Sequence, residues 1–499
     1  MEIKVATGDI TKTKADAILV NYFEAMEHPE GDTAALDKAL DGAISRLISQ
    51  GEIKGKCNEV TIIHSLGKLP ADRIVVVGLG KPDELTADKI RGAMAAACRL
   101  LRRKYVATIA TVTQGAGLAG ITDEGSAQAL TEGALLGLYT FRRHITKESE
   151  QGEIKSLTIV SPDKNNLPVL RRGVNRGTIL SEATNLARDM VNEPANYMTP
   201  TDMAEMATRQ AKTHGLEIDV LEREQVQEMG MGAFLAVARA SVQPPKLIVL
   251  NYKGGKSGET DIALIGKGVT FDTGGISIKP SDRMDEMKGD MAGGAAVIAA
   301  MTAIAQLKPR INVLAVIAAT ENMPGGNALK PGDVVTAMGG KTIEIISTDA
   351  EGRLTLADAL GYARQQDAKL IIDVATLTGA CHRALGDVCS GGFTNNQELL
   401  DKVIAAGVEA GERIWQLPMY EEYKDQNKSE VADLKNTGGP LAGASTAALF
   451  LAEFAGEIPW VHLDIAGTFL TDKERKYTVK GATGVPVRTL VNLVVSLAK

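Results

Sequence analysis

Short apolar runs alternate with longer amphipathic segments along the first third of the chain. The apolar runs are four to eight residues long and rich in β-branched side chains, which predicts buried strands. We predict strands at 15–20, 73–77, 105–112 and 157–160, and helices at 86–104 and 124–146. This alternation is typical of an α/β domain with a parallel or mixed sheet.

A long helical segment follows this region. Residues 169–191 keep helical periodicity, and the sequence Asn192-Glu193-Pro194 ends it because proline cannot continue a helix. We therefore predict an N-terminal α/β domain at 1–165, a connecting helix at 166–194 and a second domain at 195–499. A chain of 499 residues is also too long for one ordinary core.

The second domain repeats the α/β pattern on a larger scale. The predicted strands are 246–252, 262–265, 313–319, 342–346, 370–374 and 461–465. The predicted helices are 201–214, 291–305, 354–364 and 445–454. The fold class is thus α/β, with a central mixed sheet flanked by helices in the larger domain.

Composition narrows the function classes. The net charge of −7 gives no overall attraction to nucleic acid or anionic membranes. The apolar runs are too short to cross a bilayer, and the charged N-terminus predicts no secretory signal. Four scattered cysteines indicate reduced thiols in a cytoplasm. Six histidines without an HExxH motif mean that a metal site would depend on carboxylates.

Three predicted strands of the second domain end in polar turns. The first runs into Lys267, Asp272 and Lys279, the second into Asp349, Glu351 and Arg353, and the third into the sequence ATLTGA at 375–380. Ligand sites in open α/β sheets form outside the carboxyl ends of strands, so these turns are expected to share one crevice.

Each charged residue also has a structural interpretation. Asp290 could cap the helix that follows it, Asp349 and Glu351 could cap the next one, and Asp272 could be a turn residue. Lys267 could lie in a phosphate loop or a solvated turn, and Arg353 on a helix surface. Together, however, four carboxylates in one crevice would repel unless cations neutralised them. Two divalent ions could do so and activate a water for hydrolysis, with Mg, Mn and Zn all suited to oxygen ligands.

Two rival motifs fail. The sequence GGKS at 254–257 has Leu250 where a P-loop requires glycine, and it is interpreted as a turn. The chain has no GxSxG motif, which argues against a serine hydrolase of the α/β type.

Long motifs of the second domain resemble those of the leucyl aminopeptidase (cytosol aminopeptidase) family. They occur in order as VNEPANYMTP, GKGVTFDTGGISIKP, MKGDMAGGA, STDAEGRL, ATLTGA, SEVADLKNTGG and HLDIAGT. The resemblance implies removal of N-terminal residues from peptides by a two-metal hydrolase. One departure is Ser347, where the family often has asparagine.

The resemblance also implies residue roles. One metal would be held by Lys267, Asp272, Asp290 and Glu351, and the other by Asp272, Asp349 and Glu351. Lys267 would ligate as the neutral amine, which requires a lowered pKa. The expected ions are Mn or Zn, with Mg or Co as alternatives.

The remaining implied roles concern catalysis and substrate. Lys279 would stabilise the oxyanion, and Arg353 would hold a bicarbonate that acts as general base. The residues resembling the family's side-chain pocket and substrate-docking backbone are Met287, Thr376, Leu377 and Ala466. An apolar pocket discriminates weakly, so a broad preference for Leu and Met is expected. Family members assemble as homohexamers of two stacked trimers, with active sites facing an interior cavity.

The sequence is also compatible with three alternative functions. The N-terminal GDIT at 8–11 followed by ADAILVN resembles the start of a macro domain, so the smaller domain is predicted to be macro-like. Macro domains bind ADP-ribose, but in the leucyl aminopeptidase family the related domain is an accessory one without that role, and Asp16 is better interpreted as a charge at the start of a strand than as an adenine contact. DNA binding is known for bacterial relatives, and basic runs occur at 102–104 and 142–144, but the net charge does not support it. An inactive scaffold is disfavoured because all seven metal and catalytic positions carry the expected residue types.

Overall fold

The chain divides into two compact units in the computed structural model, which describes residues 1–256 and 258–498. The first unit comprises Met1–Glu182 and Lys473–Lys480, and the second comprises Ala183–Asp472 and Gly481–Lys499. Ser257, in the GGKS turn, and the final residue of the chain lie outside the described residues. The division falls inside one long helix, Leu167–Asn192.

The first unit is built on a six-stranded sheet. Its strands are β1 (Glu2–Thr7), β2 (Ala17–Tyr22), β3 (Val60–His64), β4 (Arg73–Gly78), β5 (Thr108–Thr111) and β6 (Ser156–Ser161). Its helices are α1 (Gly31–Ala39), α2 (Ala43–Ser49), α3 (Ala87–Arg103) and α4 (Asp123–Gly137), followed by α5 (Leu167–Asn192). The strand order is β1-β6-β5-β2-β4-β3, and all neighbours are parallel except β3 and β4.

Both faces of this sheet are covered. Along β2, Leu19 belongs to one apolar cluster and Ile18 to another. Successive side chains of a strand point to opposite faces, so two clusters require apolar residues at every position. The run 15–20 was therefore recognisable as a buried strand from its continuous apolar character. Asp16, just before β2, accepts hydrogen bonds from the N–H groups of Ala107 and Thr108 and so ties the start of β2 to that of β5.

The second unit contains an eight-stranded mixed sheet and three small ladders. Its strands are β7 (Glu217–Leu221), β8 (Lys246–Lys253), β9 (Ile262–Asp272), β10 (Asn312–Asn322), β11 (Val334–Thr336), β12 (Thr342–Glu344), β13 (Ile371–Ala375), β14 (Ser390–Thr394), β15 (Ile414–Gln416), β16 (Leu434–Lys435), β17 (Trp460–Asp464), β18 (Leu470–Thr471) and β19 (Gly481–Ala482). Its helices are α6 (Pro200–His214), α7 (Arg223–Glu228), α8 (Gly232–Val237), α9 (Ala292–Leu307), α10 (Gly352–Gln365), α11 (Gly379–Leu385), α12 (Gln397–Ala410), α13 (Gly443–Ala455) and α14 (Val487–Leu497).

The order of the large sheet places four parallel strands at its centre. The order is β15-β14-β17-β13-β9-β10-β8-β7, in which β17, β13, β9 and β10 run parallel. Strand β8 is antiparallel to both of its neighbours, β10 and β7. The carboxyl ends of the central strands therefore lie at one edge. The predicted fold class, two α/β domains with a mixed sheet flanked by helices, is confirmed.

Several predicted segments differ in extent from the observed ones, and the helix at 124–146 and the strand at 262–265 differ most. The helix predicted at 124–146 ends at Gly137, because Leu138 closes its last turn and the next residues are not helical. The strand predicted at 262–265 continues to Asp272. The sheet also buries the glycines and polar residues after Ile265, so the strand extends beyond the apolar run that predicted it. In the described part of the chain, one helical run, Met284–Leu307, is long and apolar enough to cross a membrane. Some 89% of its apolar window is buried inside the protein, as in a core helix.

Candidate active site

The site lies at the carboxyl edge of the central strands. Lys267 and Asp272 lie on β9, Asp290 precedes α9, and Glu351 precedes α10. Carboxylate oxygens of Asp272, Asp290 and Glu351 all lie within 4.8 Å of one another, and all three residues are buried. The tertiary structure thus brings together carboxylates that are up to 79 positions apart in sequence.

Lys267 is buried at the centre of this cluster. Its Nζ lies 2.7 Å from Asp290 Oδ2 and 2.8 Å from Glu351 Oε1, and it donates to the Thr376 carbonyl at 3.1 Å. Burial lowers the pKa of Lys267, but the carboxylates of Asp290 and Glu351 outweigh it and hold the pKa above its ordinary value. Without a metal, Lys267 is therefore a protonated counter-charge.

Lys279 contacts the outer part of the cluster. Its Nζ lies 2.7 Å from Asp272 Oδ2 and also contacts Asp349 Oδ1. Burial opposes its charge, but the surrounding carboxylates, Asp272 first, raise the pKa of Lys279. Asp349 is less enclosed than the other acids, with 40% of its side chain exposed, and burial still raises its pKa.

The carboxylates do not act as helix caps. Neither α9 nor α10 has a side-chain hydrogen bond at its N-cap, although Glu351 occupies that position in α10. Asp290 instead accepts from the Thr376 hydroxyl at 2.7 Å. Asp272 does accept from the Gly274 N–H at 2.8 Å, so it is both a turn residue and part of the cluster.

The cluster fits divalent cations. Burial raises the pKa of Asp272 and of Asp290, which shows that their negative charge is unfavourable in this environment. The Oε2 atom of Glu351 is buried and has no hydrogen-bond partner in the described part of the chain. Buried unpaired carboxylate oxygens are costly, and a cation would satisfy them.

Arg353 has the properties of an anion-binding group. It is buried, its Nη1 donates to the Asn436 carbonyl at 2.8 Å, and its Nε has no hydrogen-bond partner among residues 1–256 and 258–498. Burial lowers the pKa of Arg353 to about 10, with the carboxylates of Glu351 and Asp464 opposing the shift. An anion beside Nε would satisfy the buried guanidinium.

The four predicted substrate residues surround the same edge of the sheet. Thr376 and Leu377 follow β13, Ala466 follows β17, and half-buried Met287 lies three residues before Asp290. The Thr376 hydroxyl is used by Asp290, so only its main chain and methyl group remain for other contacts.

Two buried residues of the site were missed in the sequence. Asn322, at the end of β10, donates to Asp272 Oδ1 at 2.7 Å and to the Thr348 carbonyl at 3.0 Å. Asp464 accepts from the N–H groups of Leu377 and Ala466, at 3.3 and 3.1 Å. Both residues end strands of the central sheet, which is the only available signal for Asn322, whereas Asp464 also lies within the HLDIAGT motif.

Comparisons with known proteins agree with this geometry. The family model described as "Cytosol aminopeptidase family, catalytic domain" matches residues 185–491, and the one for the N-terminal domain of the same family matches residues 19–148. A probable cytosol aminopeptidase of Solibacter usitatus is 49% identical over 99% of both chains. One of Alkaliphilus metalliredigens is 45% identical over the full length of both.

Solved structures give the same result. A mutant of tomato leucine aminopeptidase superimposes with a TM-score of 0.89 at 35% identity, covering 99% of this chain and 96% of that one. The bottromycin maturation enzyme BotP in complex with Mn has a TM-score of 0.86 at 34% identity, covering 97% and 100%. The chain therefore belongs to the cytosol aminopeptidase family and is a metal-dependent aminopeptidase.

Proposed function

We propose that this enzyme removes N-terminal residues, with a preference for Leu, Met and other apolar side chains, by using two divalent metal ions. The observation that carries the proposal is the buried group of Asp272, Asp290 and Glu351, with oxygens within 4.8 Å of one another. The substrate's free α-amine would ligate one metal, which restricts cleavage to the first peptide bond.

The metal ligands are assigned from the resemblance and fit the contacts of the site. Lys267, Asp272, Asp290 and Glu351 would hold one ion, and Asp272, Asp349 and Glu351 the other. The ions supply a Lewis acid for the scissile carbonyl and activate a water at neutral pH. Mn or Zn is expected, with Mg or Co as alternatives. BotP, a relative in fold, was solved with Mn.

The two lysines would behave differently when metals bind. Lys267 Nζ would have to lose its proton to become a ligand, whereas Lys279 would keep its proton. The Lys279 ammonium, held charged by Asp272 and Asp349, would stabilise the negative oxygen that develops on the scissile carbonyl.

Arg353 would hold a bicarbonate through its unpaired Nε. That anion would act as the general base, a role that a side chain fills in most enzymes. Met287, Thr376, Leu377 and Ala466 would form the side-chain pocket and the backbone on which the substrate docks. An apolar pocket separates similar apolar side chains by only about 1–3 kcal/mol, so specificity would be broad.

Assembly and location follow from the family. We propose a homohexamer of two trimers acting on peptides in the cytoplasm. The location is supported by the relatives' name, cytosol aminopeptidase, whereas the hexamer is proposed from the family resemblance alone.

Hydrolysis of Leu-p-nitroanilide tests the function. Chelator-treated enzyme should be inactive and should recover when Mn or Zn is added. Asp272→Ala should lose both metal and activity. Lys279→Ala should retain metal and lose about 100- to 1,000-fold in kcat, the usual effect of removing an oxyanion-stabilising donor.

Lys369→Ala is the matched control. Lys369 is an exposed lysine that pairs with Glu259 and lies at the opposite end of β13. Its variant should keep full activity. A wild-type enzyme that is indifferent to chelators, or a Lys279→Ala variant with unchanged kcat, would contradict the mechanism.

A further inference from the structure

Asn436 is a fully buried asparagine beside the turn that carries Asp349. It follows β16, which pairs with β12, and its N–H donates to the Glu344 carbonyl at 2.9 Å. This pairing places Asn436 next to residues 346–350. In the sequence, Asn436 is part of the SEVADLKNTGG motif, but no role is predicted for it.

The side chain of Asn436 is bonded entirely to that turn. Its Oδ1 accepts from the N–H of Ile346 at 2.8 Å and of Ser347 at 3.3 Å. Its Nδ2 donates to the carbonyls of Ser347 at 2.6 Å and of Ala350 at 3.4 Å. The Asn436 amide thus bonds to backbone N–H and carbonyl groups on both sides of Asp349, as a neighbouring strand would in a sheet.

The main chain of Asn436 contacts the other half of the site. Its carbonyl accepts a hydrogen bond from Arg353 Nη1 at 2.8 Å, and among the described residues this is the only hydrogen bond that the guanidinium donates. One residue therefore touches both the turn bearing Asp349 and the guanidinium of Arg353.

We propose that Asn436 is a positioning residue that fixes the Asp349 turn and the Arg353 guanidinium relative to each other. The inference rests on the proposed function, in which Asp349 holds one of the two metals. Asp349 depends on such support more than the other acids do, because 40% of its side chain is exposed and burial alone does not fix its position. The far side of the turn is fixed separately, since Thr348 Oγ1 donates to the Gly274 carbonyl at 2.6 Å.

The chain provides a matched control in Asn427. This asparagine is also buried in the second unit, and its Nδ2 donates to the Thr446 carbonyl at 2.8 Å. No hydrogen bond of Asn427 described in the structure reaches a site residue. Loss of a buried amide should therefore lower stability at both positions, but it should affect metal binding and turnover only at Asn436.

The test compares Asn436→Ala, Asn436→Asp and Asn427→Ala by Mn titration against a chelator, by kcat and KM for Leu-p-nitroanilide, and by thermal midpoint. In Asn436→Ala, one of two Mn equivalents should bind about 10- to 100-fold more weakly, as when an outer partner of a metal ligand is removed. The kcat should fall about 100-fold, the usual effect of a misplaced group, while KM changes little. Asn427→Ala should keep both Mn equivalents and its kcat.

Asn436→Asp separates the two halves of the amide. A carboxylate keeps the shape of the side chain and the acceptor for Ile346 and Ser347, but it replaces the donor by a charged oxygen that faces the carbonyls of Ser347 and Ala350. Its kcat should therefore fall at least as far as that of Asn436→Ala. It also carries the test if Asn436→Ala does not fold.

The inference is overturned if the Asn436 variants bind both Mn equivalents as wild type does, or if their kcat matches that of Asn427→Ala. Failure of the proposed function is distinct, because wild type itself would then neither bind Mn nor hydrolyse the substrate.

Discussion

At the scale of the residue, burial decides what each charged side chain can do. Lys267 and Asp358 both lie in the second unit, and both are removed from water. Lys267 meets two carboxylates and stays charged. Among the described residues, Asp358 meets backbone N–H groups, those of Phe234 at 2.8 Å, Met338 at 2.7 Å and also Ala233. These dipoles compensate less than a full opposite charge, so burial raises the pKa of Asp358 to about 7.

This shift predicts a pH dependence of stability. The folded protein binds the Asp358 proton more tightly than the unfolded chain does, so the contribution of Asp358 to the free energy of unfolding is largest at low pH. It is lost as the pH rises from about 4 to about 7, by at most about 4 kcal/mol. Thermal midpoints of wild type and Asp358→Asn between pH 4 and 8 would measure it. Wild type should lose stability relative to the variant across this window and run parallel to it above pH 7.

Asp367→Asn controls for the substitution itself, since Asp367 is exposed just after the same helix, α10. Its midpoint should follow wild type at every pH. A constant difference between wild type and Asp358→Asn from pH 4 to 8 would show that Asp358 does not titrate in this range.

At the scale of the element, close contact between α9 and the central strands builds the site. A Cβ atom at Gly293 would lie 2.1 Å from the Val374 carbonyl oxygen, and one at Gly266 would lie 2.5 Å from the Gly294 Cα. Only glycine allows this approach of helix to strand. The approach matters because α9 begins just after Asp290, which must reach Lys267 on β9.

Gly293→Ala should therefore destabilise the protein. Helix propensity alone would favour alanine by about 1 kcal/mol. The overlap with backbone outweighs that gain, and overpacking of this kind costs about 1–3 kcal/mol or more. Moving α9 away would also separate Asp290 from Lys267, so Mn affinity should fall together with the thermal midpoint.

Gly326→Ala is the comparison, because a Cβ atom there would meet nothing within 4 Å. It should leave both the midpoint and Mn affinity unchanged. A Gly293→Ala protein as stable as Gly326→Ala would mean that α9 does not need the glycine contact.

At the scale of the whole molecule, a late segment of the chain completes the first unit. Lys473–Lys480 groups with Met1–Glu182, although almost 300 residues separate them in sequence. Tyr477 is 5% exposed, packs with Ala95 and Leu136, and donates to Asp88 at 2.8 Å. Arg99 pairs with Glu474 at 2.8 Å in the same region.

The first unit should therefore depend on Tyr477. Tyr477→Ala removes a buried ring, which costs about 3–5 kcal/mol in proteins, and should speed hydrogen exchange of the α3 and α4 amides. Tyr477→Phe loses only the hydrogen bond and should cost about 1 kcal/mol. Tyr105→Ala, at a tyrosine that is 72% exposed, is the control and should not alter exchange in α3 or α4. Equal exchange in Tyr477→Ala and Tyr105→Ala would refute the role of this segment.

The sequence by itself determined the two-domain α/β fold class and the polar strand ends of the second domain. Continuous apolar runs such as β2 and β13 are visible because both faces of their sheets are buried, and long motifs carried the family resemblance. Short elements were missed, among them β16, because two residues have no periodicity. The sequence did not predict that residues 473–480 belong to the first unit, because they contact residues that are far away in the chain.

Only the tertiary structure decided which charges meet. Asp290 and Glu351 were both compatible with helix caps in the sequence, but in the structure both contact Lys267. Nothing in the sequence distinguished Asn322 and Asn436 from other polar residues. Their positions at the ends of β10 and β16 bring their amides into contact with Asp272 and with the turn that carries Asp349. The physical reason is that periodicity reports burial within one element, whereas hydrogen bonds and charge pairs form between elements whose arrangement depends on the packing of the whole unit.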